Sequence, residues 1–247
     1  MTARQPLRRR ADGPAQDAGR ARRIDGRRRL VLALLPLATG GGLTLMILTG
    51  VSLRVASAGL LVGGAGLWAW TLRAMSADAR RWLRSRVTAG ILVGLPAVLA
   101  YDAARYGLVS IASLSFAPFH VFLLFGQALL GPTTPEGLAF AAGTLFHLAN
   151  GLGFAIAYLI VVKRPNVISG IAWALVLETA MLLLYPVWLG ALLPGEFVPV
   201  SIAGHVAYGS VLGVVGRRVV TRRDVSCRTC RTGSCSIFVA RGAGRVA

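Results

Sequence analysis

The chain has 247 residues, of which 55% are hydrophobic and only 15% are charged, and its formal net charge is +18. A soluble domain carries roughly a quarter charged residues, so this composition excludes a soluble globular protein. The high hydrophobicity also excludes a disordered chain. Because the apolar residues come in long blocks without strand-like alternation, the sequence predicts an all-α polytopic membrane protein.

The positive charge comes almost entirely from arginine, since Lys163 is the only lysine among 27 basic residues. Most of these residues lie between the apolar blocks or in the two tails, in segments 1–29, 73–86, 163–164 and 217–247. This spacing is typical of cytoplasmic loops under the positive-inside rule. No aromatic residue alternates with the N-terminal arginines, which argues against nucleic-acid binding. The predicted partners of the basic tails are the bilayer and its anionic lipid headgroups.

Three regions follow from this pattern. Residues 1–29 are predicted to form a disordered basic cytoplasmic arm, residues 30–216 a transmembrane helical domain, and residues 217–247 a basic, cysteine-containing cytoplasmic tail. Cys227, Cys230 and Cys235 could bind zinc or act as a redox pair. No histidine or supporting fold pattern accompanies them, so we interpret them as incidental.

The first apolar block, Leu30–Leu72, is too long for one span and fits two, at about 30–50 and 54–74. It is also too long for a cleaved signal peptide, which favours an uncleaved anchor. The glycines at 40–42 predict close helix packing rather than an unwound helix. Four further spans are expected, at about 87–108, 137–162, 167–190 and 199–216, with a loop at 73–86.

The segment Phe119–Leu130 decides the topology because its 12 residues are too few to cross a bilayer. If it crossed, the arginine-rich C-terminus would lie outside. If it is an outer re-entrant or interfacial helix, every basic residue except Arg54 and Arg105 lies inside. The sequence therefore predicts about six spans, one outer re-entrant or interfacial helix, and both termini in the cytoplasm of a plasma-membrane protein.

Ionisable residues inside predicted spans mark a candidate site, because they are costly to hold in a bilayer. The helical rise places these residues at similar depth, in the outer half of the membrane. The candidate substrate or ion site consists of Glu178, His147, Asp102, Arg105, His205, Asn150 and Tyr185. Asp102 and Arg105 can pair within one helix. Glu178 has no cation in its own span, so it must find a partner on another helix or stay protonated.

A metal site is a weaker hypothesis for the same residues. His147, His205, Glu178 and His120 are ligand types that suit Zn, Fe, Ni or Cu. Haem held by two of these histidines also stays open. The sequence contains no short ligand motif that would support either assignment, so it names no cofactor.

Three functional classes remain. The first is a carrier or solute-binding membrane subunit with a polar site open to the outside. The second is an intramembrane enzyme acting on a lipid or isoprenoid substrate, with Glu178 or Asp102 as general acid. The third is a structural partner in a homo- or hetero-oligomer, assembled through the small-residue pairs Gly59/Gly63, Gly90/Gly94 and Gly209/Gly213. A lateral opening favours the enzyme, an aqueous path favours the carrier, and a structural partner needs no cavity.

Overall fold

The structure is a computed structural model that describes residues 25–189 and 195–231, with side chains described at 25–184 and 195–221. This part of the chain forms eight α-helices and no strand, which confirms the predicted all-α class. The helices are α1 (Gly26–Leu34), α2 (Ala38–Thr49), α3 (Leu53–Arg73), α4 (Ala77–Ile111), α5 (His120–Leu130), α6 (Glu136–Val161), α7 (Val167–Leu189) and α8 (Phe197–Arg231).

The helices make a multi-pass membrane bundle. Five of them, α3, α4, α6, α7 and α8, contain stretches long and apolar enough to cross a membrane. The pair α1 and α2 makes a sixth span if it is taken as one span bent by 70°. This agrees with the predicted number of spans.

The bend between α1 and α2 lies at Pro36, whose ring and missing N–H interrupt helical hydrogen bonding. The following glycines remain helical, as predicted. A Cβ atom at Gly40 would lie 2.7 Å from the Phe154 ring, so the glycine permits close packing. The indole N–H of Trp68 fixes α1 by donating to the Leu32 carbonyl at 2.8 Å.

The predicted loop at 73–86 is wrong, because α4 begins at Ala77 and only a short turn precedes it. Ser76 caps the helix by accepting a hydrogen bond from the Ala79 amide at 3.3 Å, and Asp78 lies in the first turn. Arginine is also a good helix former. The basic segment is therefore the first part of a 35-residue helix rather than a loop.

At the other end of the chain, α8 continues to Arg231, past the predicted end of the last span at 216. The backbone at Cys227 and Cys230 belongs to its final turns. The side chains of both residues, the whole of Cys235 and residues 1–24 of the predicted arm lie outside the described residues.

Helices α4 and α6 run antiparallel, so the end of α4 and the start of α6 lie at the same end of the bundle. Gly90 packs against Ile156, and further along the pair Asp102 lies beside His147. We call this shared end, with the loops 112–119 and 131–135, the distal end. The opposite end, which carries the arginines near 73–84, Lys163, Arg164, Arg217 and Arg218, is the basic end.

The segment 112–119 enters the bundle from the distal end, and the short helix α5 returns to that end, so the chain does not cross the bundle here. The Pro118 carbonyl accepts a hydrogen bond from Arg105 at 2.5 Å, so the chain turns back alongside α4 before α5 begins. Helix α5 then packs antiparallel to α6, with Gly126 directly against the Ala139 backbone and Gly143 against the Phe122 backbone. This is the geometry predicted for a re-entrant segment.

The three predicted small-residue pairs have different surroundings. Gly90 and Gly94 pack against Ile156 and Ala155 of α6, and Gly209 and Gly213 pack against the first turns of α7. These two pairs therefore join helices inside the chain. Gly59 and Gly63 on α3 have no described atom within 4 Å of a Cβ position, so a role in oligomer formation stays a prediction for this pair alone.

Candidate functional site

Glu178 is the most deeply buried acidic residue of the described part of the bundle, with 2% of its surface exposed. Its partners lie on α8. The Glu178 Oε2 atom accepts a hydrogen bond from the Ser201 hydroxyl at 3.0 Å and lies 2.8 Å from Nδ1 of His205. Because Ser201 and His205 are four residues apart on one helix, both side chains face the same carboxylate.

The surroundings of His205 determine which ring nitrogen carries hydrogen. Its Nδ1 atom lies 3.0 Å from the Ser201 carbonyl oxygen, which can only accept. The Nδ1 atom therefore donates, and its hydrogen is shared between this carbonyl and Glu178. The other nitrogen, Nε2, is left as the position at which His205 can accept or deliver a second proton.

A second carboxylate–imidazole pair lies on α4 and α6. The Asp102 Oδ2 atom is 3.3 Å from Nε2 of His147, and the Asp102 Oδ1 atom is 3.7 Å from Nη1 of Arg105. Arg105 is 2% exposed, and Pro118 of the re-entrant segment accepts one of its hydrogen bonds. The re-entrant segment thus supplies a partner that a buried guanidinium needs.

Tyr101 lies between the two pairs. Its ring centroid is 5.6 Å from that of His147 and 4.9 Å from that of His205, the second in an edge-on arrangement. The Arg105 guanidinium lies over the same ring at 5.0 Å. Gly204 makes this packing possible, because a Cβ atom there would lie 2.8 Å from Tyr101 and 2.9 Å from Arg105.

Tyr101, Arg105 and the two histidines line a cavity of about 90 Å³ that we call the polar cavity. Its polar lining consists of Tyr101, Arg105, His147, Asn150, His205 and Tyr208, and its apolar lining includes Val98, Phe125, Leu177, Met181 and Phe197. A second space of about 240 Å³, which we call the side cleft, lies between α2, α6 and α7. The two adjoin, since Asn150, Phe154, Leu177, Met181 and His205 line both.

Several buried polar atoms of this region have no hydrogen-bond partner among the described residues. They are Oδ1 of Asp102, Nε of Arg105, Oδ1 of Asn150 and Oε1 of Glu178. Buried polar groups are nearly always paired in native proteins, so a cluster of unpaired ones indicates a ligand or ordered water. On the facing wall, Tyr208 is paired, since its hydroxyl donates to the Gly151 carbonyl at 2.6 Å.

The structure brings together most of the residues named from the sequence. Glu178 and His205 form one pair, Asp102, His147 and Arg105 form the second group, and Asn150 lines the cavity beside them. The side chain of Tyr185 lies outside the described residues. His120 is exposed at the start of α5 and lines neither space.

A metal site would need several of the predicted ligands, His147, His205, Glu178 and His120, to meet at one point. Among the described residues, no three His, Cys, Asp or Glu side chains lie close enough together to hold a metal ion. The histidines are instead divided between two carboxylates. Metal binding stays a prediction from the sequence.

Sequence reasoning did not select Tyr101, Ser201 or Tyr208 as site residues. Each carried a local signal: Tyr101 precedes Asp102 and lies four residues before Arg105, and Ser201 lies four residues before His205. Tyr208, three residues after His205, shares its helix face. A tyrosine or serine in a span is usually a packing residue, so these signals alone do not identify a site.

Comparisons with protein-family models, with curated proteins and with solved structures gave no match to this chain.

Proposed function

We propose that the protein is a carrier or solute-binding membrane subunit that holds a small molecule in the polar cavity. In this proposal the Glu178–His205 pair takes up one proton from the aqueous side, at Nε2 of His205, in one step of the solute cycle and releases it to the aqueous side in the reverse step. The observation that carries the proposal is the pair itself: a carboxylate and an imidazole 2.8 Å apart, buried inside a membrane bundle and beside a cavity. Ionisable chains of this kind form proton relays in transporters.

The distal side of the cavity has a thin cover. Phe197 lines the cavity and packs against Phe116 of the loop 112–119, with ring centroids 5.7 Å apart. Glu196, directly before α8, is bonded to the loop 112–119. Its Oε2 atom accepts a hydrogen bond from the Phe116 amide at 2.8 Å and one from the Ser115 hydroxyl at 3.0 Å. Among the described residues, these are contacts that would break if this side opened.

The basic side is closed more firmly. There α7 and α8 touch through backbone, since a Cβ at Gly209 would lie 2.6 Å from the Gly170 carbonyl oxygen. A carrier needs access that alternates between its two sides, with one side closed while the other opens. The α7–α8 backbone contact at the basic end, compared with the described contacts of Phe197 and Glu196 at the distal end, supports a state that opens at the distal end first.

The test is the small-molecule content of the purified protein. Mass spectrometry of solvent extracts should show a compound that co-purifies with the wild type and is lost from His205→Ala and Glu178→Gln. His120→Ala is the matched control, because His120 is exposed and lies outside both spaces. The compound should then enter proteoliposomes faster under a pH gradient. Equal content in all four proteins would overturn the proposal.

We further propose that the basic end is cytoplasmic and the distal end faces outward in the plasma membrane. The charge asymmetry between the ends supports this orientation. In a background with Cys227, Cys230 and Cys235 replaced by serine, an impermeant thiol reagent should label Thr133→Cys on intact cells. Ala74→Cys, in the turn at the basic end, should react only after permeabilisation. The reverse pattern would invert the orientation.

A second candidate, an intramembrane enzyme for a lipid or isoprenoid substrate, is favoured by the state of His205 and by the side cleft, whose position between α2 and α7 is that of a lateral opening. Its Nδ1 hydrogen is held by Glu178 and the Ser201 carbonyl, which leaves Nε2 to act as a general base. The same analysis of co-purified compounds distinguishes a carrier from an enzyme. A carrier returns its co-purified compound unchanged, whereas an enzyme converts it to a product that accumulates in the wild type but not in His205→Ala.

A further inference from the structure

The side cleft opens at the depth of the membrane. Eleven of its twelve lining residues belong to α2, α6, α7 or α8, and the other, Leu37, lies in the bend before α2. Ala180, on the α7 wall, is exposed. Since these helices cross the bilayer, the mouth of the cleft faces lipid rather than an aqueous surface.

The cleft and the cavity differ in chemistry. The α2 and α7 walls of the cleft are mostly apolar, with Leu37 and Leu43 on one side and Leu177, Met181 and Leu184 on the other. The hydroxyl of Thr44 on the α2 wall donates to the Gly40 carbonyl of its own helix. At its inner end lie Asn150 and His205, which also line the polar cavity. One continuous path therefore runs from lipid, along an apolar cleft, to hydrogen-bonding groups.

The charged groups at the inner end have partners within the bundle. The Arg105 guanidinium is matched by Asp102, and the Glu178 carboxylate accepts hydrogen bonds from Ser201 and His205. A charged head would leave an uncompensated charge at this depth, which is costly. A neutral head that donates a hydrogen bond would satisfy the Oδ1 atom of Asn150. This residue is only 8% exposed, and its Oδ1 atom has no hydrogen-bond partner among the described residues.

The volumes set the shape of such a molecule. The polar cavity of about 90 Å³ is smaller than an engineered cavity of about 150 Å³ that binds benzene, so it takes only a small head. The side cleft of about 240 Å³ is larger and takes part of a chain.

We infer that the solute is a long-chain alcohol of the bilayer, which enters sideways between α2 and α7. Its hydroxyl group reaches Asn150 in the polar cavity, and its hydrocarbon chain lies in the side cleft. This inference rests on the proposed solute-binding function and specifies the ligand class for the same site.

The test uses hexadecanol with a diazirine at mid-chain, in nanodiscs that contain the full chain. Two further probes carry the same chain, one with a phosphate head and one with no head. Photolysis should attach the alcohol probe within residues 177–184, and excess unlabelled hexadecanol should compete. Labelling by the alcohol should exceed labelling by the other two probes about fivefold, the effect expected of one hydrogen bond.

Variants locate the path. Ala180→Trp narrows the mouth from α7 and Thr44→Trp narrows it from α2, so each should reduce labelling about tenfold. Leu183→Trp is the matched control, because Leu183 is 73% exposed on α7 and does not line the cleft. Asn150→Leu should reduce labelling by the alcohol to the level of the headless probe. Unchanged elution in size-exclusion chromatography verifies the fold of each variant.

The outcomes separate the two proposals. Equal labelling of Ala180→Trp, Thr44→Trp and Leu183→Trp would overturn the sideways path. Equal labelling by the three probes, or strongest labelling by the phosphate probe, would overturn the neutral hydroxyl head. If either result occurs while a co-purified compound is still lost from His205→Ala, the solute-binding function stands without the alcohol. If no compound is lost either, both proposals fail.

Discussion

Two regions of the bundle use small residues in opposite ways. In the region of α4, α5 and α6, glycines such as Gly126 and Gly143 bring backbones into direct contact, and half of the candidate span in α6 is buried. In α3, no described atom lies within 4 Å of a Cβ position at Gly59 or Gly63, and only 11% of the candidate span is buried. The same residue type therefore builds the site on one side and leaves an open face on the other.

The contact between α5 and α6 should be the most sensitive part of the molecule. In Gly126→Ala the new methyl group would overlap the Ala139 carbonyl, so we expect a loss of about 3 kcal/mol of stability. Thermal unfolding of the detergent-purified protein measures it. Gly107→Ala on α4 is the control, because nothing lies within 4 Å of its Cβ position. Equal unfolding temperatures for the two variants would show that α5 can shift freely.

Arg105 should join the site to the re-entrant segment. Arg105→Met leaves Asp102 and the Pro118 carbonyl without this partner, at a cost of about 3 kcal/mol for a buried ion pair that loses one member. The loop 112–119 should also become accessible to protease. Arg54→Met, at an exposed position on α3, should change neither property. Protection of the loop in Arg105→Met would mean that other contacts hold the segment.

The distal cover should be weaker. Glu196→Ala removes the bonds to Ser115 and Phe116, and we expect a loss of about 1 kcal/mol because the contact is partly exposed to solvent. A thiol reagent should then label the Phe197→Cys variant faster when it also carries Glu196→Ala than when Glu196 is retained. Glu136→Ala, at the exposed start of α6, serves as the comparison. A labelling rate that Glu196→Ala does not raise would exclude Glu196 as the closing contact.

The smallest effect is expected on the open face of α3. Alanine forms helix better than glycine by about 1 kcal/mol, so Gly59→Ala and Gly63→Ala should each be neutral or slightly stabilising in the monomer. Thermal unfolding of the two variants provides the measurement. A clear loss of stability in either variant would contradict the open face and would indicate that a second chain covers it.

Much of the fold could be predicted from the amino-acid sequence alone. The lengths of the apolar blocks predicted the spans, and the short Phe119–Leu130 segment predicted a re-entrant or interfacial helix, because both follow from bilayer thickness and charge placement. The position of Glu178 inside a span without a cation predicted either a partner on another helix or a protonated side chain. The extent of α4 was missed, since an arginine-rich stretch can form either a loop or a solvated helix turn.

The composition of the site was decided by tertiary structure. The helical rise predicted that His147, His205, Asp102 and Glu178 lie at similar depth in the membrane. Depth alone does not determine how each helix is rotated about its axis or which helix is its neighbour. The pairing of Glu178 with His205 depends on the α7–α8 contact through Gly170 and Gly209. The pairing of Asp102 with His147 depends on α4 and α6 meeting through Gly90 and Gly94. Such contacts join residues far apart in the chain, so packing, rather than local sequence, determines them.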